Sequence, residues 1–249
     1  MATRLHLLTL LLAAATTAAV GAAPAADMLF ITTEHSPPAS MLDGDTVVGR
    51  ETEKIREMLV RSEIPHQISL LPWKRAYMLA QQQERNCVYS TTRTPEREKL
   101  FKWVGPTYET EWLLLGRADR KLTLRTLDDA RPLRIGTYLG DARDEYLRER
   151  GFLVEPAQND ASNPKKLLLN RIDLWAVGMR TGSQSLQQFK LPPEIVPLLT
   201  FNHVQVYLAC NLNVPDALIA RMNAALATMR RDGSLARVER KYANWSEQK

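Results

Sequence analysis

STTRTPEREKLFKWVGP, residues 90–106, is the stretch that decides the fold. It follows a short apolar run at residues 87–89, which predicts a strand. Hydroxyl side chains and arginines come directly after that strand. An arginine offers a planar fork of donors that matches a carboxylate, and serine or threonine oxygens add directional contacts. The stretch therefore predicts a site for a small anion at the end of a strand.

Strand and helix patterns alternate along the rest of the chain, which predicts an α/β fold. The predicted strands are residues 28–33, 67–71, 87–89, 112–116, 133–137, 174–177 and 201–209. The predicted helices are residues 51–61, 73–83, 165–170, 183–189 and 235–242, with one more opening at Gly140-Asp141 and another after Pro215. The length beyond residue 26, about 223 residues, is large for one α/β domain and suits two lobes.

The first 26 residues are predicted to be a secretory signal, with Arg4 before an uncharged apolar stretch at residues 7–20 and small residues at 21–26. That apolar stretch is shorter than the ~18–20 residues of a membrane-spanning helix. Cys87 and Cys210 lie far from the cleavage region, so we expect a periplasmic protein without a lipid anchor. In an oxidising compartment the two cysteines could form a disulfide or remain two buried thiols.

Charge and motif content exclude several classes of function. The net charge is +5, and basic residues alternate with acidic ones, so no nucleic-acid-binding stripe is expected. The four histidines are isolated from one another and no paired-cysteine motif occurs, so we expect no metal. No phosphate-binding glycine loop is present, so we expect no cofactor.

The order of the motifs resembles that of the bacterial extracellular solute-binding proteins of family 3, the polar amino-acid-binding type. The S-x-T-x-T-x-x-R pattern at residues 90–97 carries this resemblance first, and the motifs that accompany it are residues 33–49, 71–76, 135–141 and 229–242. The resemblance covers essentially the whole chain after the signal. It implies a two-lobe periplasmic binding protein of type 2 (Venus-flytrap), with lobe 1 formed by residues 27–117 and 201–249, lobe 2 by residues 118–200, and an interlobe cleft.

The resemblance implies that Arg97 grips the carboxylate of a ligand, with Ser90 and Thr92 beside it. Arg93 is a rival for the same role, and a surface arginine that pairs with a neighbouring glutamate is the structural alternative. Ser90 and Thr92 could instead satisfy the turn after the strand. His35 stands where many relatives carry an aromatic residue that stacks on the ligand.

Three further positions complete the predicted site. Trp73 could form a wall of the pocket or belong to the core. Gly140 and Asp141 would place backbone N–H groups at a helix start, which favours an anion. Asp141 could instead cap the helix or face a cationic group of the ligand. Gly178 occupies the position at which relatives that bind α-amino acids carry an acidic residue for the ammonium group, so an α-amino acid ligand is in doubt here.

The resemblance predicts a protein that captures a small carboxylate-bearing solute, an amino acid or a related molecule, by hinge closure. Its expected partner is the permease of an ABC importer, and we expect a monomer. Two alternatives stay open: delivery of the closed form to a sensory membrane receptor, and a periplasmic lyase that uses the cleft carboxylates Asp141, Asp173 and Glu34. We expect binding rather than catalysis, because no catalytic motif is present.

Overall fold

The computed structural model describes residues 28–179, 191–243 and 245. The predicted signal and the predicted helix at residues 183–189 lie outside the described residues. The strands are β1 Leu29–Thr33, β2 Met41–Asp43, β3 Thr46–Val48, β4 His66–Leu70, β5 Asn86–Thr92, β6 Lys102–Arg117, β7 Ile135–Tyr138, β8 Val154–Ala157, β9 Leu174–Met179 and β10 Ile195–Cys210. The helices are α1 Arg50–Arg61, α2 Trp73–Gln82, α3 Ala142–Glu149, α4 Asn163–Leu168, α5 Asp216–Arg231 and α6 Ser234–Lys241.

The described strands form an eight-stranded sheet with the order β4-β1-β5-β10-β6-β9-β7-β8, and β2 and β3 form a separate hairpin. Strands β1, β4 and β5 are parallel to one another, and so are β7, β8 and β9. We call β1–β5 with α1, α2, α5 and α6 the β1 side, and β7–β9 with α3 and α4 the β7 side. The observed α/β architecture confirms the predicted fold class.

Two 16-residue strands, β6 and β10, join the two sides. They pair antiparallel along nearly their whole length, and β6 also pairs with β9 between Glu111 and Leu115. The sequence predicted only the apolar parts of both strands, because their remaining residues do not keep a regular alternation of buried and exposed side chains. The division into lobes at residues 117 and 200 stays a prediction.

Each side has its own apolar core. On the β1 side, Leu29 and Ile31 of β1 pack with Met58 of α1 and Met222 of α5, all of them fully or almost fully buried. On the β7 side, Ile135 of β7 is part of a cluster with residues of α3 and β9. Burial of apolar surface is the main favourable term in folding, so each side is stabilised largely by its own residues.

A disulfide joins Cys87 of β5 to Cys210 of β10. The two residues are direct neighbours in the ladder between these strands, and both are fully buried. The alternative of two separate thiols therefore does not apply. The bond fixes the end of β10 to the β1 side. The parallel strands of this side end at the cleft between the two sides.

Candidate functional site

The cleft lies at the carboxyl ends of the parallel strands, where open α/β sheets usually place their ligands. Glu34 follows β1, and Tyr138 ends β7 on the opposite side. Tyr138 donates a hydrogen bond from its hydroxyl to Glu34 Oε1 at 2.8 Å. Trp73, the first residue of α2, donates from Nε1 to the carbonyl of Gly140 at 2.7 Å. The two sides are therefore in direct contact across the cleft.

Arg97 is the most buried charged group at this contact, with 1% of its surface exposed. Its Nε donates to Glu145 Oε2 of α3 at 2.8 Å, and its Nη2 donates to the Gly140 carbonyl at 3.0 Å. Both acceptors belong to the β7 side. The guanidinium also lies over the ring of Tyr77, 4.7 Å from its centroid. Arg97 thus reaches from the β1 side into the middle of the cleft.

Two buried polar atoms of this site have no hydrogen-bond partner among the described residues. They are Nη1 of Arg97 and Oγ of Ser90. Ser90 also has a positive φ of 61°, which is uncommon for a residue other than glycine. Leaving a buried donor without a partner is costly, and such groups are rare in native proteins. These two atoms therefore indicate where a ligand would make its polar contacts.

Arg93, the rival for the anchor role, has a different environment. It is exposed, and its guanidinium donates to both carboxylate oxygens of Glu98, at 2.7 and 2.6 Å. The same group lies near the rings of Trp103 and Tyr207. Its fork of donors is already used by a neighbouring glutamate, so the geometry favours Arg97 as the anchor.

The remaining predicted residues divide into two groups. Trp73 is buried and packs against Tyr77, so it belongs both to a core cluster and to the cleft through its bond to Gly140. Gly140 has a φ of +78°, which favours glycine, and this conformation accompanies a carbonyl that accepts from both Trp73 and Arg97. In contrast, Thr92 pairs with β10 and His35 is exposed in the loop after β1. The ligand contacts of these residues stay predictions.

Asp141 caps α3 and holds a buried arginine that the sequence analysis did not single out. Its Oδ1 accepts from the backbone N–H of Arg143 at 2.8 Å, as the capping interpretation expected. The Arg143 side chain donates to Oδ1 at 2.7 Å and to Oδ2 at 3.0 Å. Burial by itself would raise the pKa of Asp141, but the Arg143 guanidinium outweighs it and lowers that pKa.

Arg143 lies beside Gly178 on β9. A Cβ atom at position 178 would stand 3.5 Å from Nη1 of Arg143. Nη1 donates to the carbonyl of Ala176 at 3.3 Å, and Nη2 lies 4.0 Å from Oδ2 of Asp160. The family resemblance implied that Gly178 stands where relatives carry an acid, and the structure places a guanidinium next to it. Arg143 and Gly178 are 35 positions apart in the chain, so the sequence alone did not predict that they are neighbours.

Of the three proposed lyase carboxylates, Glu34 and Asp141 lie close enough for their charges to interact, whereas Asp173 has other partners. Asp173 is held by Arg120 and by Arg134, whose Nε lies 3.0 Å from Oδ2, and this hydrogen bonding lowers the pKa of Asp173. Glu34 contacts Tyr138 instead. Burial raises the pKa of Glu34 to about 8, which keeps its carboxyl protonated at neutral pH.

A cavity of about 890 Å³ lies next to the long strands and is bounded by both sides of the cleft. It is within the usual size range of small-molecule pockets. Its lining includes residues of the 93–98 loop, of α3 and of β6 and β10, among them Arg93, Glu98, Thr110, Tyr146, Arg150 and Tyr207. Arg97 itself does not line this cavity, although residues on both sides of it in the 93–98 loop do.

Within residues 28–179, 191–243 and 245, the helices are too short or too polar to cross a lipid bilayer. No three histidine, cysteine, aspartate or glutamate side chains in these ranges are grouped so that they could hold a metal ion.

Residues 28–244 match the bacterial extracellular solute-binding proteins, family 3. The chain belongs to this family. Among curated relatives, the chain is similar to the L-cystine-binding protein TcyJ of Escherichia coli (strain K12), with 25% identity over 221 residues, 86% of this chain and 82% of TcyJ. The resemblance seen in the sequence is therefore confirmed.

Solved structures share the fold. A histidine kinase sensor domain with similarity to periplasmic binding proteins superposes with a TM-score of 0.77 at 18% identity, covering 89% of this chain and 98% of that domain. A mutant of ArgBP from T. maritima superposes with a TM-score of 0.75 at 16% identity, covering 87% and 95% of the two chains. The fold is thus that of the type 2 periplasmic binding proteins.

Proposed function

We propose that this protein captures a small carboxylate-bearing solute, an amino acid or a related molecule, in the cleft between its two sides and delivers it to an ABC importer. The observation that carries the proposal is the buried Nη1 of Arg97, a charged donor with no partner among the described residues. A charge-assisted hydrogen bond from this donor to a solute carboxylate would satisfy it. Two similar proteins are named for binding cystine and arginine. Both of these ligands carry a carboxylate, which supports a carboxylate on the solute of this protein.

Hinge closure is the proposed means of capture. The solute would join contacts that already run from the β1 side to Tyr138, Gly140 and Glu145 on the β7 side. The long strands β6 and β10 would bend as the cleft opens, since they alone carry the sheet from one side to the other in the described chain. A closed form held by solute presents a composite surface that a permease can recognise.

We further propose that the protein acts in the periplasm and is not an enzyme. The signal-like N-terminal sequence and the disulfide between Cys87 and Cys210 support export to an oxidising compartment. Asp173 is held by Arg134 and Asp141 by Arg143, and carboxylates engaged in this way are weak candidates for a general base.

A thermal-shift screen tests the proposal. Wild type is screened against amino acids, polyamines, dicarboxylates and sugar acids, because a solute that binds only the native state raises its melting temperature. We expect carboxylate-bearing hits that disappear in Arg97→Ala and persist in the control Arg93→Ala. Hits that persist in Arg97→Ala would contradict the anchor. Conversion of a hit to a new product would contradict the assignment as a binding protein.

A further inference from the structure

We infer that the solute carries a carboxylate but no ammonium group beside it, so that hydroxy acids, keto acids and simple carboxylic acids bind in preference to the matching amino acids. This inference rests on the proposed function and narrows its class of solute. It follows from which polar groups of the cleft are still available to a ligand. The cleft offers donors for an anion, whereas its carboxylates are already engaged.

The carboxylates on the β7 side of the cleft have partners within the protein. Asp141 accepts three hydrogen bonds from Arg143. Asp160 Oδ1 accepts from the indole of Trp175 at 2.7 Å and from the Asn163 side chain at 2.9 Å. The other two follow the same rule: Asp144 accepts from Thr137 and Arg148, and Glu145 accepts from Arg97. An ammonium group would have to share these carboxylates with donors that are already bound to them.

On the β1 side the only carboxyl group at the direct contact described above is Glu34. It is half-buried and accepts from Tyr138. Burial favours its neutral form, so it offers no full negative charge to a cation. An ammonium group in this part of the cleft would first have to ionise a carboxyl group that burial keeps neutral in the solute-free protein.

Position 178 adds a repulsive element. Gly178 has no side chain, and the Arg143 guanidinium lies within van der Waals distance of the place where a Cβ would be. Asp141 balances the charge of Arg143, but a cation bound there would face this guanidinium rather than a free carboxylate.

The carboxylates that line the neighbouring cavity do not replace the missing acceptor. Glu96, Glu98 and Glu109 are all exposed to solvent, and Glu98 already holds Arg93 in a bidentate pair. An exposed ion pair contributes little to affinity because water screens it. The donors Arg97 Nη1 and Ser90 Oγ, by contrast, are buried and unpaired among the described residues, so a carboxylate gains most there.

Calorimetric titration of the wild type with matched pairs tests the inference. The pairs are L-lactate and L-alanine, L-malate and L-aspartate, 2-oxoglutarate and L-glutamate, and phenyllactate and L-phenylalanine, with L-arginine and L-cystine added. We expect the acid without the ammonium group to bind at least tenfold more tightly in every pair that binds, a difference of about 1.4 kcal/mol or more. An amino acid that binds as tightly as its partner would overturn the inference while leaving the proposed function intact. If none of these compounds binds, both the inference and the proposed function are overturned.

A double variant tests the assigned residues. Arg143→Gln with Gly178→Asp removes the cation and supplies a carboxylate, so we expect the preference against the amino acid to shrink at least tenfold. Gly178→Asp alone is the control, because the new carboxylate would pair with Arg143 and leave the preference nearly unchanged. A folded double variant that keeps the wild-type preference would overturn the roles of Arg143 and Gly178. If the double variant does not fold, the wild-type titrations still decide the inference.

Discussion

The two sides of the cleft each contribute one buried guanidinium group, and the two groups are neutralised differently. Arg143 on the β7 side is held by Asp141, which is buried in the same segment. Arg97 on the β1 side is held by Glu145, which is 36% exposed and comes from the opposite side. If the cleft opens by the proposed hinge motion, the first pair would persist and the second would break. On this proposal the first pair supports the fold, and the second leaves its arginine available to a solute.

Loss of Arg143 is expected to have the largest effect on stability. Arg143→Ala leaves Asp141 buried without its partner, and we expect the free energy of unfolding to fall by about 3–5 kcal/mol. Arg148→Ala, in the same helix but with an exposed arginine, should cost about 0–1 kcal/mol. Urea denaturation of both variants measures the difference, and equal losses would contradict the distinction between the two pairs.

Arg97→Ala should destabilise the protein less than Arg143→Ala. Glu145 is partly exposed and can be hydrated once Arg97 is absent, and the other lost contact is one hydrogen bond to a carbonyl. We expect a loss of about 2 kcal/mol in urea denaturation without solute. A loss as large as that of Arg143→Ala would show that Arg97 is mainly structural and would weaken the proposed anchor.

The pH dependence of stability tests the second contact across the cleft. The pKa of Glu34 is raised to about 8, above the value of an unfolded glutamate, with Tyr138, Asp141, Asp160 and Arg143 around it. A raised acid pKa means that stability is fully present below about pH 4.5 and is lost as pH rises through about 8. Because Glu34 is only half-buried, we expect this loss to be on the order of 1–2 kcal/mol.

Glu34→Gln should lack this part of the pH dependence. Unfolding measured at several values between pH 5 and 9 for both proteins gives the difference curve. Asp160, whose pKa burial also raises, interacts electrostatically with Glu34, so the difference curve reports the two carboxyl groups as a coupled pair. A flat difference curve would contradict the protonated state of Glu34.

Glu145→Gln should lower the free energy of unfolding least among these variants, and it should raise the affinity for the solute. Arg97 is buried, but Glu145 is partly exposed and the glutamine amide oxygen can still accept from Nε of Arg97, so we expect a loss of about 1 kcal/mol. Without its ionic partner Arg97 attracts an anion more strongly, so we expect a few-fold gain in affinity for a carboxylate and a larger radius of gyration without solute. Calorimetry and small-angle X-ray scattering measure these two quantities. Glu155→Gln, exposed on β8, is the control, and equal behaviour of the two variants would contradict competition by Glu145.

Part of this account could be predicted from the sequence. Local patterns predicted most strands and helices of the described chain, and the motif at residues 90–97 pointed to Arg97. The hairpin β2–β3 and strand β8 were missed because both are short and carry exposed residues. Their pairing depends on neighbours that are distant in sequence.

The charges of the site were harder to foresee than its fold. Arg143 and Glu145 look like the ordinary solvated face of a helix in sequence, and only the tertiary structure brings them to Gly178 and Arg97. The choice between Arg97 and Arg93 also needed the structure, because burial and the bidentate contact of Arg93 with Glu98 favour Arg97. The sequence supplied the donor types, and the fold determined which donors remain unpaired.

A crystal structure of the protein with the strongest solute from the screen tests the central claim most directly. We predict that a carboxylate oxygen of the solute lies about 2.7–2.9 Å from Nη1 of Arg97, the usual length of a charge-assisted hydrogen bond, with Ser90 Oγ as a second contact. A solute bound in the cavity beside Arg93, Tyr146 and Arg150 without touching Arg97 would contradict it.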